Sequence, residues 1–266
     1  MSLPSPLQLL PLGTNGFFPS HGRQTTAYLL SWPGGALLLD AGSGVARLSE
    51  PEARAALDGV DRLDILLTHY HLDHVAGISF LPGVARDRKI RIFAPTPPLT
   101  SFGTEALDRL IAPPLFPIGF HRWPMPVEVV PFAGADLAIG ELEVRLRAQK
   151  HPGGSVGVRL GDALAYVTDT VLDLATVPFV RGVRTLLHEV WLDDEEAERE
   201  DAGRMGHSAA APVAELARAA GVGRLVPIHH HPRRSPEALE RLAESMRERA
   251  GCPVELPVEG RAIALA

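Results

Sequence analysis

The 266-residue sequence has one cysteine, Cys252, and therefore cannot form a disulfide within the chain. It also lacks any apolar run approaching the ~20 residues that span a membrane. Its N-terminus has neither the basic region nor the long apolar stretch of a secretory signal peptide. From these absences we expect a protein of the reducing cytoplasm that has no membrane partner.

Positive charge is scarce as well. The chain has 26 lysine and arginine residues against 32 aspartate and glutamate residues, a formal net charge of −6. Proteins that hold nucleic acid mainly through its phosphates usually carry a basic patch. The balance therefore favours a small-molecule substrate over a nucleic acid, although a local basic patch is still compatible with it. Hydrophobic residues make up 45% of the chain, as in soluble globular proteins.

The hydrophobic pattern predicts many strands and few helices in the first two thirds, then alternating strands and helices. The predicted strands are Leu7–Leu12, Thr26–Trp32, Ala36–Asp40, Leu63–Thr68, Lys89–Ala94, Val127–Pro131, Leu142–Ala148, Ser155–Leu160, Ala163–Thr168, Val183–Val190 and Leu225–Ile228. The predicted helices are Pro51–Leu57, Glu105–Ile111, Ser208–Ala220 and Pro236–Arg249, with Ser208 as the N-cap of the third. This order indicates an α/β protein in which two sheets carry helices on their outer faces. The length suits one domain over residues 1–266.

Residues 95–125 interrupt this pattern, because they are rich in proline and phenylalanine and contain one predicted helix. We predict a loop-rich insertion. Its apolar runs, at 113–117 and 120–124, could form a lip over a substrate site, pack against the core as a surface excursion, or make the interface of a homodimer.

The densest group of potential metal ligands lies at the end of the predicted strand Leu63–Thr68. There the chain reads Thr68-His69-Tyr70-His71-Leu72-Asp73-His74. Side chains alternate along extended backbone, so His69 and His71 should point the same way. Asp73 and His74 should fall at the start of a helix. Two pairs of ligands therefore leave one turn in different directions, which predicts two neighbouring metal ions. Burying so many polar groups without partners would be costly.

Two ions need more ligands than this segment offers, and isolated polar residues follow other predicted strands. His151 follows Leu142–Ala148, Asp169 follows Ala163–Thr168, and His229 follows Leu225–Ile228. The two carboxylate oxygens of Asp169 make it the natural bridge between the ions. His230 and His231 compete with His229, but His230 should point away if the strand continues. Imidazole and carboxylate ligands suit zinc, manganese, iron or nickel. We expect two divalent ions, with zinc as the first candidate and manganese or iron as alternatives.

The motif His-x-His-x-Asp-His resembles the signature of the metallo-β-lactamase superfamily. The resemblance covers most of the chain and implies an αββα four-layer sandwich with a two-metal centre. It further implies that His69, His71 and His151 hold one ion, that Asp73, His74 and His229 hold the other, and that Asp169 bridges them. Aspartate at the bridging position argues against the branch that cleaves β-lactams with a cysteine there.

Further segments resemble the ribonuclease Z and phosphodiesterase branch of that superfamily. They are Gly13-Thr14-Asn15-Gly16, Leu38-Leu39-Asp40-Ala41-Gly42, His188-Glu189-Val190-Trp191, Gly206-His207-Ser208 and Leu225-Val226-Pro227-Ile228-His229-His230. The resemblance implies that His207, oriented by Glu189, stabilises the phosphate and protonates the leaving oxygen. Asp73, His207 and Glu189 are then the predicted catalytic residues.

The predicted reaction is hydrolysis of a small, cyclic or nucleotide-like phosphodiester by a hydroxide between the two ions. The long, basic, glycine-rich arm with which ribonuclease Z grips transfer RNA has no counterpart in the sequence. Processing of transfer-RNA 3′ ends is therefore an alternative, as is hydrolysis of a lactone or thioester. A metal-binding protein without turnover is a third alternative.

Overall fold

Two β-sheets form the centre of the computed structural model, which describes residues 3–200 and 205–265. The strands are β1 Gln8–Gly13, β2 Ala27–Trp32, β3 Gly35–Leu39, β4 Arg62–Leu66, β5 Lys89–Pro95, β6 Val127–Phe132, β7 Asp136–Ile139, β8 Leu142–Gln149, β9 Ser155–Leu160, β10 Leu164–Val167, β11 Thr185–Glu189, β12 Leu225–Ile228 and β13 Ile263–Ala264. The α-helices are α1 Pro51–Ala56, α2 Leu72–Val75, α3 Leu81–Val84, α4 Glu105–Leu110, α5 Thr176–Val180, α6 Asp194–Arg199, α7 Ala210–Ala220 and α8 Pro236–Ala250. Within the described ranges, none of these helices is both long and apolar enough to cross a lipid bilayer.

The two sheets have mixed strand directions. The first sheet has the order β13-β1-β2-β3-β4-β5-β6, and its strands β3 to β6 are parallel. The second sheet has the order β12-β11-β10-β9-β8-β7, and its strands β10, β11 and β12 are parallel. Because β9 is antiparallel to both β8 and β10, β8 runs in the same direction as these three strands.

Three apolar clusters separate four layers. Alternate residues of each strand face opposite sides of a sheet. In β2, Leu29 faces a cluster that also contains Ala53 of α1 and Leu81 of α3, whereas Leu30 faces the cluster between the two sheets. On the far side of the second sheet, Leu186 of β11 packs with residues of α7 and α8. Full burial of one such side chain contributes about 1.5–3 kcal/mol. The αββα sandwich predicted from the sequence is confirmed.

Most predicted strands and helices lie within two residues of those in the structure, and the differences have local causes. Strand β7 was not predicted, because its Asp136–Ile139 segment is a short edge strand with only one fully buried side chain. The predicted N-cap Ser208 is wrong. Helix α7 has Ala209 at that position without a side-chain cap, and the Ser208 hydroxyl instead donates to the Thr170 carbonyl at 2.6 Å.

Much of the proline-rich segment packs on the outside of the first sheet. Leu107, Ile111 and Trp123 are buried in the cluster between that sheet and its helices. The rings of Phe116 and Phe120 lie 5.7 and 4.9 Å from that of Trp123. Parts of both runs therefore pack against the core as a surface excursion, whereas Leu115 is 72% exposed.

Candidate metal centre

The carboxyl ends of several strands meet at one edge of the sandwich. In the second sheet, β8, β10, β11 and β12 run in one direction, and their ends are followed or occupied by His151, Asp169, Glu189 and His229. In the first sheet, β4 is followed by the histidine segment that begins at His69. Ligands that are distant in sequence converge because the strands that carry them are parallel.

The turn after β4 divides its own ligands into two pairs. His71 keeps extended backbone, with ψ 148°, and caps the short helix α2, so His69 and His71 leave extended chain. Asp73 and His74 lie in the first turn of α2. This is the arrangement that the spacing of the motif predicts.

One group of possible ligands consists of His69, His71, His151 and Asp169. The Nε2 atoms of His69 and His151 each lie 3.6 Å from Oδ2 of Asp169. Nε2 of His151 also lies 3.1 Å from Nδ1 of His71. The ligand atoms of this group all lie within 4.8 Å of one another.

The second group consists of Asp73, His74, His229 and again Asp169. The Nε2 atoms of His74 and His229 each lie 3.2 Å from Oδ1 of Asp169. Oδ2 of Asp73 lies 3.2 Å from Nε2 of His229. Asp169 thus turns one carboxylate oxygen to each group, which is the geometry of a bridging ligand.

The atoms of both groups fit divalent cations. Nε2 of His69 is buried and has no hydrogen-bond partner among the described residues. A buried nitrogen without a partner is unfavourable unless it binds a ligand. Burial lowers the pKa of His69, and it also lowers the pKa values of His71 and His151. These imidazoles are therefore neutral near pH 7, the state in which they bind metals.

The charges of the second group also fit a cation. Burial opposes ionisation of Asp169, yet His229 and His74 hold the pKa of Asp169 well below its ordinary value. Burial likewise opposes protonation of His74, but Asp169, Asp73 and Asp40 raise the pKa of His74 well above its ordinary value. A bound cation would displace that proton, so metal binding at this group should release protons.

Partners behind the histidines orient their rings. Nδ1 of His74 lies 2.9 Å from Oδ2 of Asp40, and Nδ1 of His151 lies 2.9 Å from the Gly206 carbonyl. Such contacts orient the imidazole ring and leave Nε2 available to a metal ion. Asp40 was missed as a functional residue by the sequence reasoning. A charged residue at the end of an otherwise apolar strand was the signal that could have identified it.

Backbone strain concentrates at this edge. Five non-glycine residues in the described ranges have positive φ, and four of them, Phe17, Asp40, Asp169 and His229, belong to or contact the two groups. Left-handed backbone is unfavourable for residues with a Cβ and persists where the surrounding structure enforces it, commonly at functional sites.

His207 and Glu189 form a pair beside the metal-binding groups. Nδ1 of His207 lies 3.2 and 3.3 Å from the two carboxylate oxygens of buried Glu189. Burial alone would lower the pKa of His207, but the Glu189 carboxylate raises it to about 9. The ring stacks on Trp191, with ring centroids 4.6 Å apart and 17° between the planes. Glu189, His207 and His229 could themselves hold an ion.

Residues 36–230 match the model of the β-lactamase superfamily domain. Ribonuclease Z from Methanopyrus kandleri is 30% identical in an alignment of 282 positions that covers 89% of this chain and 90% of that protein. The chain belongs to the metallo-β-lactamase superfamily. It is a metal-dependent hydrolase by family, and its similarity to ribonuclease Z assigns it to the ribonuclease Z-like branch.

Solved metallo-β-lactamase structures share the fold. The protein YhfI from Bacillus subtilis superimposes with a TM-score of 0.76 at 19% identity, over 97% of this chain and 99% of that one. The short form of human tRNase Z superimposes with a TM-score of 0.66, also at 19% identity, over 97% of this chain and 99% of that one.

The remaining histidines of these metallo-β-lactamase segments lie outside the two groups. His188 is buried on the opposite side of β11 from Glu189, and Nδ1 of His188 contacts the Glu189 carbonyl at 2.8 Å. His230 forms backbone hydrogen bonds to Thr14 and Gly16, and burial lowers the pKa of its side chain to about 3. Trp191, which stacks on His207, was not singled out by the sequence reasoning.

Proposed function

We propose that this protein is a binuclear phosphodiesterase that hydrolyses a small, cyclic or nucleotide-like phosphodiester. Ligands of one ion would be His69, His71 and His151, and those of the other Asp73, His74 and His229, with Asp169 shared. The observation that carries the proposal is the Asp169 carboxylate, which lies 3.2 Å from two histidines through one oxygen and 3.6 Å from two others through the second.

When bound, two divalent ions, with zinc as the first candidate and manganese or iron as alternatives, supply an activated water and neutralise charge on the phosphate. The protein supplies the proton. His207, held protonated by Glu189, donates a hydrogen bond to a non-bridging phosphate oxygen and then passes its proton to the departing alkoxide. Trp191 covers one face of the His207 ring and fixes its plane.

The His207–Glu189 pair favours phosphate chemistry over the hydrolysis of a lactone or thioester. Because the pKa of His207 is about 9, its ring is cationic at neutral pH and complements the negative charge of a phosphodiester. General-acid help of this kind contributes roughly 10²–10⁴-fold to turnover. Transfer-RNA processing is a second candidate, because the similar protein of Methanopyrus kandleri is named ribonuclease Z.

The test combines a substrate panel with two histidine variants. The zinc- or manganese-loaded protein is assayed with bis-p-nitrophenyl phosphate, a 2′,3′-cyclic nucleotide, a precursor transfer RNA with a 3′ extension, a lactone and a thioester. We expect turnover of the phosphodiesters, and His207→Ala should lower kcat on the cyclic nucleotide by roughly 10²–10⁴-fold with unchanged metal content. His121→Ala, which removes an exposed histidine of the proline-rich segment, is the matched control.

Two results would contradict the proposal. One is turnover of the lactone or thioester alone, which would favour the other hydrolases of the superfamily. The other is loss of metal from His207→Ala, which would make His207 a ligand rather than an acid. Cleavage of the precursor RNA in preference to every small diester would favour the transfer-RNA candidate.

A further inference from the structure

An exposed phenylalanine lies directly beside the metal-binding groups. The side chain of Phe17 is 71% exposed, and its backbone N–H donates to Oδ2 of Asp73 at 2.7 Å. The preceding residue, Gly16, lies so close to His229 that a Cβ there would fall 2.3 Å from the ring. The backbone at Phe17 therefore lies against two candidate ligands, Asp73 through its own N–H and His229 through the preceding Gly16.

The backbone of Phe17 is strained. Its φ is +63°, and the N–H of Phe18 donates to the Gly16 carbonyl at 2.8 Å, which closes a three-residue turn around Phe17. Such γ-turns with positive φ at the centre are rare and unfavourable for a residue that has a Cβ. Glycine would adopt this backbone more easily, and a polar side chain would suit the exposure better. The exposed ring of Phe17 contributes little to the stability of the fold, so we expect it to contact a ligand.

Further apolar side chains continue around the site. Leu72, between His71 and Asp73, is 67% exposed. Phe102 is 55% exposed, and its ring lies 3.9 Å from the position of a Cβ on Gly153, two residues after His151. Phe18 supports Phe17 edge-to-face, with ring centroids 5.3 Å apart. A phosphodiester bound at the His and Asp groups would therefore place its organic substituents against an apolar rim.

We propose that Phe17 is a stacking platform for the planar base of a nucleotide substrate. This rests on the proposed phosphodiesterase function and narrows it to nucleotide diesters. The phosphate lies at the metal-binding groups, and the base, one sugar away, lies on the exposed face of Phe17. Stacking of a base on an aromatic side chain tolerates any base, because each has a π-face. The site should therefore discriminate a nucleoside from an alkyl group more strongly than one base from another.

The experiment compares two diesters that share a leaving group. Thymidine 5′-(p-nitrophenyl phosphate) carries a base, and methyl p-nitrophenyl phosphate does not. We expect the wild-type protein to have the higher kcat/KM on the thymidine ester. Phe17→Ala should reduce that preference by roughly 5- to 150-fold, the loss of one base–aromatic stack. Phe17→Tyr, which keeps an aromatic ring, should retain it.

The variants are chosen so that strain and exposure do not explain the result. Alanine keeps a Cβ at position 17, so the unfavourable φ is common to Phe17→Ala and the wild type. Val258→Ala removes apolar surface from a residue that is 55% exposed in the C-terminal segment, and should leave the preference unchanged. Equal losses of Phe17→Ala on both esters, or no preference in the wild type, would overturn the proposal.

A binding measurement separates this proposal from the function on which it rests. Titration of the metal-loaded protein with thymidine 5′-phosphate and with methyl phosphate should show tighter binding of the nucleotide, and Phe17→Ala should abolish the difference. If neither ester is hydrolysed, the proposed phosphodiesterase function is refuted. The titration still tests whether a base stacks on Phe17. Equal binding of both ligands would overturn the platform. A change of oligomeric state in Phe17→Ala, seen by sedimentation, would assign Phe17 to an interface between copies instead.

Discussion

Replacement of Glu189 by glutamine should change the pH dependence of hydrolysis rather than remove activity at every pH. Glu189 is fully buried, lies 3.2 Å from Nδ1 of His207, and accepts the N–H of Thr170 at 2.8 Å. Glutamine has nearly the same shape and can still accept from Thr170. The variant therefore removes the negative charge next to His207 while keeping the local packing.

The direction and size of the effect follow from the pKa of His207. Glu189 raises that pKa to about 9 against the opposing effect of burial. Without the carboxylate, the pKa should fall to its ordinary value of about 6.5 or below. At pH 8 the protonated fraction of His207 would then drop from about 90% to about 3%, roughly 30-fold. At pH values below both pKa values each protein keeps the proton on His207, so the difference should nearly vanish there.

The assay measures kcat/KM of both proteins on the cyclic nucleotide between pH 5.5 and 9.5, and the ratio of variant to wild type is plotted. Any titration that both proteins share cancels in that ratio. A bound cation would lower the pKa of His207 in both proteins, which would move the pH of the change without altering its direction. Activity of the wild type should be lost as the pH rises through the His207 pKa, and that of the variant at lower pH. A ratio that is constant across this range would refute the assignment of His207 as the acid.

Two further predictions concern residues that position the ligands. Gly16→Ala should displace His229 and reduce bound metal, because the new Cβ would fall 2.3–2.7 Å from three atoms of the His229 ring. Gly83→Ala, where no atom lies within 4 Å of the new Cβ, is the control. A normal metal content of Gly16→Ala in elemental analysis would contradict the reasoning. Asp40→Asn should lower metal affinity about 10–100-fold and the free energy of unfolding by about 1–3 kcal/mol, because one oxygen cannot accept from all the donors that Asp40 now satisfies. Asp87→Asn, on a 76% exposed side chain, controls for lost charge in the urea unfolding and metal titrations.

The sequence was sufficient for the sandwich because its buried strands read as continuous apolar runs. Segments such as Leu37–Leu39 and Leu164–Val167 are buried on both faces, and few other structures accommodate so many adjacent apolar residues. It was not sufficient for β7 or for the short helices α5 and α6, whose few buried side chains give little periodicity. The single-domain arrangement over 1–266 stays a prediction.

The metal ligands could be predicted from the sequence because they are histidines and aspartates that follow predicted strands. The structure places all seven predicted ligands in two groups that share Asp169. The sequence could not have indicated that Trp191 stacks on His207, because a tryptophan near a strand end is more often part of the core. The sequence could not have indicated the strained turn at Phe17 either, since the hydrogen bond from Phe17 to Asp73 joins residues 56 apart in the chain.

The ligands come from both sheets, so the spacing between the two groups depends on how the sheets pack. Asp40, which follows β3 in the first sheet, accepts from the Tyr166 hydroxyl of β10 in the second sheet at 2.7 Å. The same carboxylate accepts the backbone N–H of Thr68 at 2.7 Å, and it orients His74. Because β10 also carries Asp169 at its end, this buried carboxylate connects the turn that bears four of the ligands to the strand that bears the bridge. Asp40 therefore stabilises the fold and sets the geometry of the site through the same hydrogen bonds, which is why its substitution should affect stability and metal affinity together.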